Sequence, residues 1–392
     1  MSLEPSGRAY IIAARRTALG RVGGLHRTRR LENLAGPVIN AALGDCSIAP
    51  DSIDEIIVGN ATAGGNPARM IALAAGLPET INATTIDQQD ASGLVAIVQA
   101  LRLVANGEAT AVVAGGAESL STAPWRVARP RNVHQMPHFI SPQPFANNAE
   151  CAPIPIEGTE RLARQFNISR ARQDAFALGS FRRALAARTA KRFVDEIVPL
   201  KTRPDEARDQ TTVEHDVDDF AEEVPFIESD GTLTPANTSV WHDGAAFVVV
   251  VSATRWKDLG EPPALELVAN ASLGVVSDHE AGAPIAAVEK LYGRLNGFDR
   301  SGIGIIETSE TSAAQAVALA EALGIDEATI NPEGGAIARG HPFGAAGAVL
   351  VVRLFSQMVR GSAAAAPSYG IATQGAIGGL GVAALFSGVS KN

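Results

Sequence analysis

The sequence reads Gly-Gly-Ala-Ile-Ala-Arg-Gly-His-Pro-Phe-Gly-Ala-Ala-Gly at residues 334–347, the most specific stretch of the chain. His341 stands between glycines and directly before Pro342, whose ring restricts the backbone, so we expect a rigid turn that directs the imidazole into a pocket. Small and branched apolar residues follow and predict a helix over residues 344–360. A helix with so little charge on any face is usually enclosed by other elements, and small residues at its start let neighbouring backbones approach closely.

Short β-rich segments alternate with helical patterns on both sides of this stretch, which is typical of an α/β layered sheet. Predicted strands lie at residues 9–13, 53–59, 111–116 and 303–307 and from residue 371 onward, and predicted helices at residues 91–104, 312–323 and 344–360. A helix-like run that begins at Asp90 in the first half matches the run that begins at Gly344 in the second. We therefore predict an α/β protein built from two similar halves.

A domain usually has roughly 150 residues, so the 392 residues are enough for two or three domains. Residues 120–242 do not follow the alternation: they contain arginine-rich helical patterns at 159–166 and 170–190, many prolines and an acidic loop at 205–219. We predict that residues 120–242 form an inserted loop domain. The N-terminal half then comprises residues 1–119 and 243–262, and the C-terminal half comprises residues 263–392.

Composition excludes several classes of function. A net charge of -9 argues against a dedicated nucleic-acid binder, which needs a clustered basic surface. We expect no secretion signal and no membrane span, because no stretch reaches the roughly 18 apolar residues that a span requires. Cys46 and Cys151 show no metal-ligand or redox spacing, so we expect no metal site and a reducing cytoplasm. The glycine-rich turns lack the Gly-x-Gly-x-x-Gly pattern, and no bound dinucleotide cofactor is predicted.

The stretch at residues 334–347 closely resembles the active-site histidine motif of the thiolases. Further segments resemble thiolase segments in the family's order, namely Arg16-Thr17-Ala18-Leu19-Gly20, Gly59-Asn60, Asn66-Pro67-Ala68-Arg69, Gly115-Gly116-Ala117-Glu118-Ser119, Asn237-Thr238-Ser239 and His242-Asp243-Gly244-Ala245-Ala246. The resemblance covers essentially the whole chain. It implies two βαβαβαββ halves packed as five layers with two buried helices in the middle, a loop domain that shapes a coenzyme A pocket, and a homodimer or homotetramer.

The resemblance also implies acyl transfer chemistry with coenzyme A as a substrate. In thiolases one cysteine is acylated, a histidine activates it, and a second cysteine moves the proton of the incoming nucleophile. His341 matches the histidine. The two cysteine positions fall on Asp90 and Gly375, neither of which carries sulfur, and the asparagine that helps to bind a catalytic water falls on Ser309.

Four further positions are expected to contact the substrate. Ser239 matches the serine that touches coenzyme A in the family. Thr311 and Ser312 stand where thiolases have an apolar pair, and they make the pocket more polar. Backbone N–H groups near Asp90 and at Ile377 need no particular side chain, so an oxyanion hole could survive the loss of both cysteines.

Residue chemistry leaves two interpretations of Asp90 open. A carboxylate is a poor nucleophile toward a thioester, so ordinary thiolysis through Asp90 is not expected. Asp90 could instead be a general acid or base opposite His341. Aspartate is also among the best N-cap residues, and a cap contributes about 1 kcal/mol, so Asp90 could do no more than begin the helix.

Three functions therefore remain open. The first is a CoA-dependent acyltransferase that resembles acetyl-CoA acetyltransferase and acts on acetyl-CoA or a 3-ketoacyl-CoA. The second is a cysteine-independent decarboxylase or retro-aldol lyase on a CoA ester. The third is a catalytically silent subunit that binds acyl-CoA; the loss of three reactive positions favours it, and the intact motif around His341 weighs against it.

Overall fold

A mixed sheet of ten strands organises the described part of the chain. A computed structural model describes residues 7–132, 134–140, 155–200, 207–227, 231–361 and 367–390. The strands are β1 (Ala9–Arg16), β2 (Gly20–Arg21), β3 (Glu55–Gly59), β4 (Asn82–Ile86), β5 (Ala111–Glu118), β6 (Val127–Ala128), β7 (His138–Phe139), β8 (His242–Ser252), β9 (Ala264–Gly274), β10 (Ile303–Thr308), β11 (Tyr369–Ala376) and β12 (Leu380–Val389). Strands β6 and β7 form a separate hairpin.

Helices cover both faces of this sheet. The α-helices are α1 (Leu31–Asp45), α2 (Pro67–Ala74), α3 (Ser92–Ala105), α4 (Pro155–Gln165), α5 (Arg170–Thr189), α6 (Val217–Ala221), α7 (Ala253–Asp258), α8 (Ala283–Arg294), α9 (Ala313–Leu323), α10 (Ala336–Arg339) and α11 (Ala346–Phe355). Short 3-10 turns lie at Pro50–Ser52, Ser277–Gly282, Arg300–Gly302, Glu327–Thr329 and Phe343–Ala345, and a π-helical turn lies at Ser356–Arg360.

The sheet consists of two related halves. Its strand order is β10-β11-β12-β9-β1-β8-β5-β3-β4, with β2 paired to β8. Parallel pairs occur at both ends of the sheet, β3 with β4 and β5 in the first half and β10 with β11 in the second. The halves meet where β1 pairs with β9, with Tyr10 opposite Glu266 and Ile11 opposite Leu265. This arrangement confirms the predicted α/β architecture of two similar halves.

Three hydrophobic clusters account for the five layers. The central cluster surrounds α3 and α11 and includes inward-facing residues from strands of both halves. A second cluster joins α1 and α2 to the outer face of the N-terminal half. The third joins α4, α5, α8 and α9 to the outer face of the C-terminal half. The two halves of the sheet therefore form separate layers on either side of the central helices. The order of the layers is outer helices, N-terminal half of the sheet, central helices, C-terminal half of the sheet, and outer helices.

Glycine makes the crossing of the two central helices possible. A Cβ atom on Gly93 would lie 2.9 Å from both the Ala348 nitrogen and the Gly344 carbonyl oxygen. A Cβ atom on Gly347 would lie 2.6 Å from the Leu94 nitrogen. The backbones are thus too close for any larger residue, as the small residues at the start of each run predicted.

The helix predicted over residues 344–360 is confirmed as the continuous helical segment Phe343–Arg360. A 3-10 turn, the α-helix α11 and the π-helical turn Ser356–Arg360 share the segment. The expectation that no stretch is long and apolar enough to cross a membrane is wrong for this segment: within the described ranges, Phe343–Arg360 has a mean hydropathy of 1.3 over 18 residues and passes on length and composition. As 78% of that segment is buried inside the protein, it serves here as a core helix.

The region between β5 and β8 is fastened to the core by buried charges. Arg16 Nε donates to Glu196 Oε1 at 2.8 Å, and Arg16 Nη1 donates to Asp209 Oδ1 at 2.6 Å. Arg353 on α11 also pairs with Glu196. The proposed bounds of the inserted domain, 120–242, stay a prediction. Cys151 and the start of the acidic loop at residues 205–206 lie outside the described residues.

Candidate active site

Asp90 and His341, which are 251 positions apart in sequence, form a direct hydrogen bond. His341 Nε2 lies 2.8 Å from Asp90 Oδ1. Asp90 is 6% exposed and His341 is 2% exposed, so this pair is almost removed from water. A hydrogen bond between ionisable groups in such surroundings is stronger than one at the surface.

Asp90 does not cap helix α3. The N-cap position of α3 is Ala91, with right-handed helical backbone angles, and the side chain there makes no capping hydrogen bond. The Asp90 carboxylate turns toward His341, and its Oδ2 accepts a long hydrogen bond of 3.4 Å from the Ile377 N–H. The interpretation of Asp90 as a helix cap is therefore wrong, because both carboxylate oxygens are directed at partners outside the helix.

The turn before α3 is held by other groups. Gln89 has a φ of 53°, an uncommon value for a residue with a side chain. Ser92 Oγ accepts from the Gln88 N–H at 2.8 Å and donates to the Gln89 carbonyl at 2.6 Å. These contacts fix the turn without the help of Asp90, which leaves the carboxylate free to face His341.

His341 is clamped by its backbone. Its N–H donates to the Val240 carbonyl at 3.1 Å, and its carbonyl accepts from the His242 N–H at 2.9 Å. With an ionised Asp90 as acceptor, Nε2 of His341 must carry the proton of their hydrogen bond. The other ring nitrogen, Nδ1, is buried and has no hydrogen-bond partner among the described residues.

The side chain of His242 packs against the same turn. Its Nδ1 lies 2.7 Å from the Val240 carbonyl and its Nε2 lies 3.2 Å from Thr211 Oγ1. Burial lowers the pKa of His242 to about 4, so the ring is neutral over the ordinary pH range. A Cβ atom on Gly340, whose φ is 114°, would lie 2.4 Å from the His242 ring. Only glycine fits at this position.

Two consecutive backbone N–H groups face two carboxylates. Ile377 donates to Asp90 Oδ2, and Gly378 donates to Glu280 Oε2 at 3.2 Å. The turn between β11 and β12 that carries them requires glycine, because Gly378 has a φ of 90° and Gly379 a φ of 76°. The predicted oxyanion donor at Ile377 therefore lies beside Asp90, where it can stabilise negative charge.

Glu280 is a site residue that sequence reasoning missed. It lies on the 3-10 turn Ser277–Gly282, outside every motif that we singled out. The pKa of Glu280 is raised, first by burial and also by the negative charge of Asp90, while the Gly378 N–H and Arg161 act in the opposite direction. No local pattern indicates it, because its place in the site depends on the packing of that turn against the β11–β12 turn.

Glu118 stabilises the site through hydrogen bonds to residues around it. It accepts hydrogen bonds from Asn60 Nδ2 at 2.8 Å, from the Ala61 N–H at 3.0 Å and from the Gly344 N–H at 3.2 Å, and also from the Thr62 hydroxyl. These contacts tie the ends of β3 and β5 to the start of the helix that follows His341. Burial raises the pKa of Glu118 to about 7, although all four donors favour its charged form.

Comparison with known proteins identifies the family of this chain. The profile "Thiolase, N-terminal domain" matches residues 9–254, and the profile "Thiolase, C-terminal domain" matches residues 262–388. The chain belongs to the thiolase family.

Similar proteins agree over almost the full length. A protein of Staphylococcus epidermidis named "Putative acetyl-CoA C-acetyltransferase VraB" is 35% identical over 381 residues, 96% of this chain and 97% of the relative. The protein of that name from Staphylococcus aureus is 34% identical over 387 residues, 97% of this chain and 99% of the relative. The crystal structure of the acetyl-CoA acetyltransferase of Bacillus anthracis superimposes with a TM-score of 0.89 at 29% identity, covering 98% of this chain and 99% of that one.

No described cysteine replaces the thiolase nucleophile. Cys46 lies at the C-terminal end of α1, where its Sγ donates to the Ala42 carbonyl at 3.3 Å. Burial raises the pKa of Cys46 to about 11, so the reactive thiolate is scarce near neutral pH. In the described ranges, no group of three or more histidine, cysteine, aspartate or glutamate side chains could hold a metal ion.

Gly375, which the resemblance matches to the second thiolase cysteine, offers no side chain to the site. Gly375 lies at the buried end of β11, two residues before Ile377. A Cβ atom there would lie 3.1 Å from both Cδ and Cγ of Pro284 and 3.7 Å from Gln315 Nε2. Gly375 therefore contributes the path of the chain and no proton carrier.

Ser309 is not joined by hydrogen bonds to Asp90 or His341 in the described structure. Its side chain is 1% exposed, and its Oγ has no hydrogen-bond partner among the described residues. The neighbouring Glu310 is satisfied by Ser180 Oγ at 2.6 Å and Asn331 Nδ2 at 2.7 Å. The water-binding role of Ser309 stays a prediction.

The remaining predicted substrate residues lie together. Ser239 donates to the Thr311 carbonyl through its N–H at 2.9 Å and through Oγ at 3.3 Å. The Thr311 hydroxyl donates to Gln315 Oε1 at 2.8 Å. Ser312 Oγ accepts from the Gln315 N–H at 3.1 Å and thus caps α9, a structural role that sequence reasoning did not assign. Their contacts with coenzyme A stay predictions.

Proposed function

We propose that this protein cleaves the bond between C2 and C3 of a 3-hydroxyacyl-CoA ester by a retro-aldol reaction, without an acyl-enzyme. The observation that carries the proposal is the buried 2.8 Å hydrogen bond between Asp90 and His341. The CoA ester as substrate class follows from the family, whose relatives here bear the name of acetyl-CoA acetyltransferases.

An acyl-enzyme is chemically unfavourable at this site. Attack by the Asp90 carboxylate on a thioester would give a mixed anhydride, which lacks the balance of nucleophilicity and leaving ability that makes a cysteine thioester useful. Cys46 lies outside the site, and Gly375 offers no proton carrier. A reaction that needs only an acid–base pair and an enolate site fits the residues that are present.

The proposed reaction balances without a co-substrate. The Asp90 carboxylate accepts the proton of the 3-hydroxyl group while the His341 N–H holds that carboxylate in place. The C2–C3 bond breaks, and the electron pair of that bond passes into the enolate of the shortened acyl-CoA. C3 leaves as the carbonyl carbon of a ketone or aldehyde. As Asp90 becomes neutral, the Ile377 N–H can transfer its hydrogen bond to the enolate oxygen. A proton then returns to C2.

Charge favours a hydroxyl group over a carboxylate on the substrate. Asp90 and Glu280 bind neighbouring backbone N–H groups, so two acidic side chains already face the reaction space. A malonyl-type substrate would bring a further negative charge next to the buried Asp90 carboxylate, where repulsion between like charges is strong. The alternative of a decarboxylase is therefore less well supported.

The family resemblance supports a coenzyme A substrate and an oligomer, and the cysteine spacing supports a reducing cytoplasm. We infer that coenzyme A is part of the substrate and not a resident cofactor, with its pantetheine arm near Ser239 and Thr311. A homodimer or homotetramer in the cytoplasm is the proposed working form, and no nucleic acid or membrane is required. Size-exclusion chromatography with light scattering measures the subunit number directly.

Product analysis tests the proposed function. The protein is incubated with a panel of 3-hydroxyacyl-CoA esters and, separately, with acetoacetyl-CoA plus coenzyme A. The expected products of the first reaction are a shortened acyl-CoA and a carbonyl compound in equal amounts, with no acylated protein by intact mass spectrometry. Thiolysis of acetoacetyl-CoA by the wild-type chain would overturn the proposal. Tight binding of acyl-CoA without turnover of any ester would identify a silent subunit.

A further inference from the structure

Glu280 places a second carboxyl group in the site. Its Oε2 accepts the Gly378 N–H, and the adjacent Ile377 N–H meets Asp90, so both carboxylates are bound to consecutive residues of one turn. Its Oε1 is buried and has no hydrogen-bond partner among the described residues. Burying a polar atom without a partner costs free energy, which a substrate group could recover by binding there.

The turn that carries Glu280 is anchored from the opposite side. Gln315 Nε2 on α9 donates to the carbonyl of Ala281 at 3.0 Å. Pro284 stands in the first turn of α8 directly after it. Glu280 therefore occupies a defined position at the start of the α8 segment, and its side chain is not a freely moving surface group.

Two charged side chains and burial act on the pKa of Glu280. Asp90 approaches from the start of α3 and Arg161 from α4. Burial acts first and raises the pKa of Glu280, the Asp90 charge adds to that effect, and Arg161 and the Gly378 N–H only partly offset it. Burial and the charge of Asp90 therefore both favour the protonated form of Glu280, the form that can donate a proton.

We propose that Glu280 delivers the proton to C2 of the enolate, so that Asp90 removes a proton at the C3 hydroxyl and Glu280 supplies one at C2. This inference rests on the proposed retro-aldol function and names the second half of its proton transfer. The O–H bond of Glu280 breaks, a C2–H bond forms, and the enolate electron pair is consumed. The proton on Asp90 then returns to Glu280 through solvent, which the half-buried Glu280 can reach.

Hydrogen–deuterium exchange on the product tests this assignment without the cleavage step. Acetyl-CoA is incubated with the protein in deuterium oxide, and deuterium entering its methyl group is followed by mass spectrometry. By microscopic reversibility, the wild-type chain should catalyse exchange. Glu280→Gln should lose roughly 100-fold in exchange rate, in line with the contribution of one general acid–base group. The amide oxygen of Gln can still accept the Gly378 N–H, so the turn is preserved.

Two further variants separate catalysis from structure. Glu280→Asp keeps the acid and should restore part of the exchange. Glu289→Gln makes the same chemical change at an exposed position on α8 and should leave the rate at the wild-type value. The wild-type exchange rate should also rise with pH above the ordinary range of a glutamate, as Glu280 loses its proton, and this rise should be absent in Glu280→Gln.

The outcomes distinguish the two proposals. Undiminished exchange in Glu280→Gln, or no exchange in the wild-type chain, would overturn the role of Glu280. Exchange that depends on Glu280, together with no cleavage of any 3-hydroxyacyl-CoA, would leave that role standing and remove the retro-aldol function instead. Cleavage by the wild-type chain with undiminished exchange in Glu280→Gln would leave the retro-aldol function standing and remove the role of Glu280.

Discussion

At the scale of single residues, Asp90 changes what a thiolase site can do. A carboxylate beside His341 retains an acid–base pair, while the capacity to form a stable thioester is gone. The fold around the pair is intact, since the His341 backbone is still held by Val240 and His242. In the proposed function, proton transfer by Asp90 takes the place of covalent catalysis.

Restoring the thiol should restore acylation. Asp90→Cys places a sulfur beside His341 at the start of α3, where a nearby imidazole and the helix N-terminus favour the thiolate. Incubation with acetyl-CoA should then add one acetyl group to the protein, detected by intact mass spectrometry, whereas the wild-type chain should remain unmodified. Asp90→Ser is the matched control and should react far more slowly, because a hydroxyl group is the weaker nucleophile. Absence of acylation in a folded Asp90→Cys variant would contradict the geometry described here.

Turnover should need the second sulfur as well. Gly375→Cys added to Asp90→Cys supplies the missing proton carrier, provided that the Pro284 ring shifts by a few tenths of an ångström from a 3.1 Å contact. We expect steady thiolysis of acetoacetyl-CoA only in the double variant. A spectrophotometric assay of acetoacetyl-CoA consumption measures it, and equal turnover by Asp90→Cys alone would show that Gly375 is not the limiting position.

At the scale of elements, the turn around His341 depends on a neutral His242. Burial lowers the pKa of His242 from 6.5 to about 4 in the folded state. Its contribution to stability is therefore complete above pH 6.5 and is lost as pH falls from 6.5 to 4, because only the unfolded chain gains the proton in that window. At about 1.4 kcal/mol per pKa unit, the loss amounts to about 3 kcal/mol.

The pH dependence of unfolding checks this prediction. Urea unfolding between pH 7 and pH 4 should show a smaller loss of stability for His242→Asn than for the wild-type chain, although the variant starts from a lower value. His138→Asn, at an exposed histidine, should keep the wild-type slope. Identical slopes for His242→Asn and the wild-type chain would show that His242 already carries charge in the folded state.

The elements were largely predictable from sequence, and their contacts were not. The apolar segments at residues 111–116 and 312–323 predicted the bounds of β5 and α9 to within one or two residues, because the residues that these elements bury are apolar. Asp90 was placed correctly before α3, and the resemblance to the thiolases, not the local pattern, suggested His341 as its partner. Glu280 had no signal at all, since only the packing of two turns brings it to Gly378.

At the scale of the whole molecule, buried charges join the region between β5 and β8 to the core. Glu196 accepts from Arg16 at 2.8 Å and from Ser356 at 2.7 Å, and it also pairs with Arg353. Glu196 and both arginines are completely buried. The pKa of Glu196 is lowered to about 2 because these arginines outweigh the effect of burial. Such a network costs little while complete and much when one partner is removed.

Removing this central carboxylate should destabilise the fold. Glu196→Gln leaves two buried guanidinium groups short of a counter-charge, and we expect a loss on the order of 3 kcal/mol in the free energy of unfolding. Glu222→Gln, at an exposed position in the same region, should cost almost nothing. Equal unfolding midpoints in urea for Glu196→Gln and Glu222→Gln would show that the network does not hold the two parts together.

The resemblance to the thiolases implied the five-layer architecture, and composition supported one part of it, the close crossing of the two central helices. Glycine and alanine at the crossing of α3 and α11 allow a contact that larger residues would prevent, and the sequence displays those small residues openly. The family motif added the connectivity of the halves. What neither supplies is the reaction, because three active-site positions differ from the family and their consequences depend on geometry.

The most direct measurement of the central claim is the ratio of kcat/KM for 3-hydroxyacyl-CoA cleavage between the wild-type chain and Asp90→Asn. Asparagine keeps the size of the side chain and removes the base. We predict a loss of roughly 10²–10⁴-fold with unchanged affinity for acetyl-CoA, and no loss in the exposed control Asp51→Asn. Wild-type kcat/KM in Asp90→Asn would contradict the account, because the carboxylate would then take no part in proton transfer.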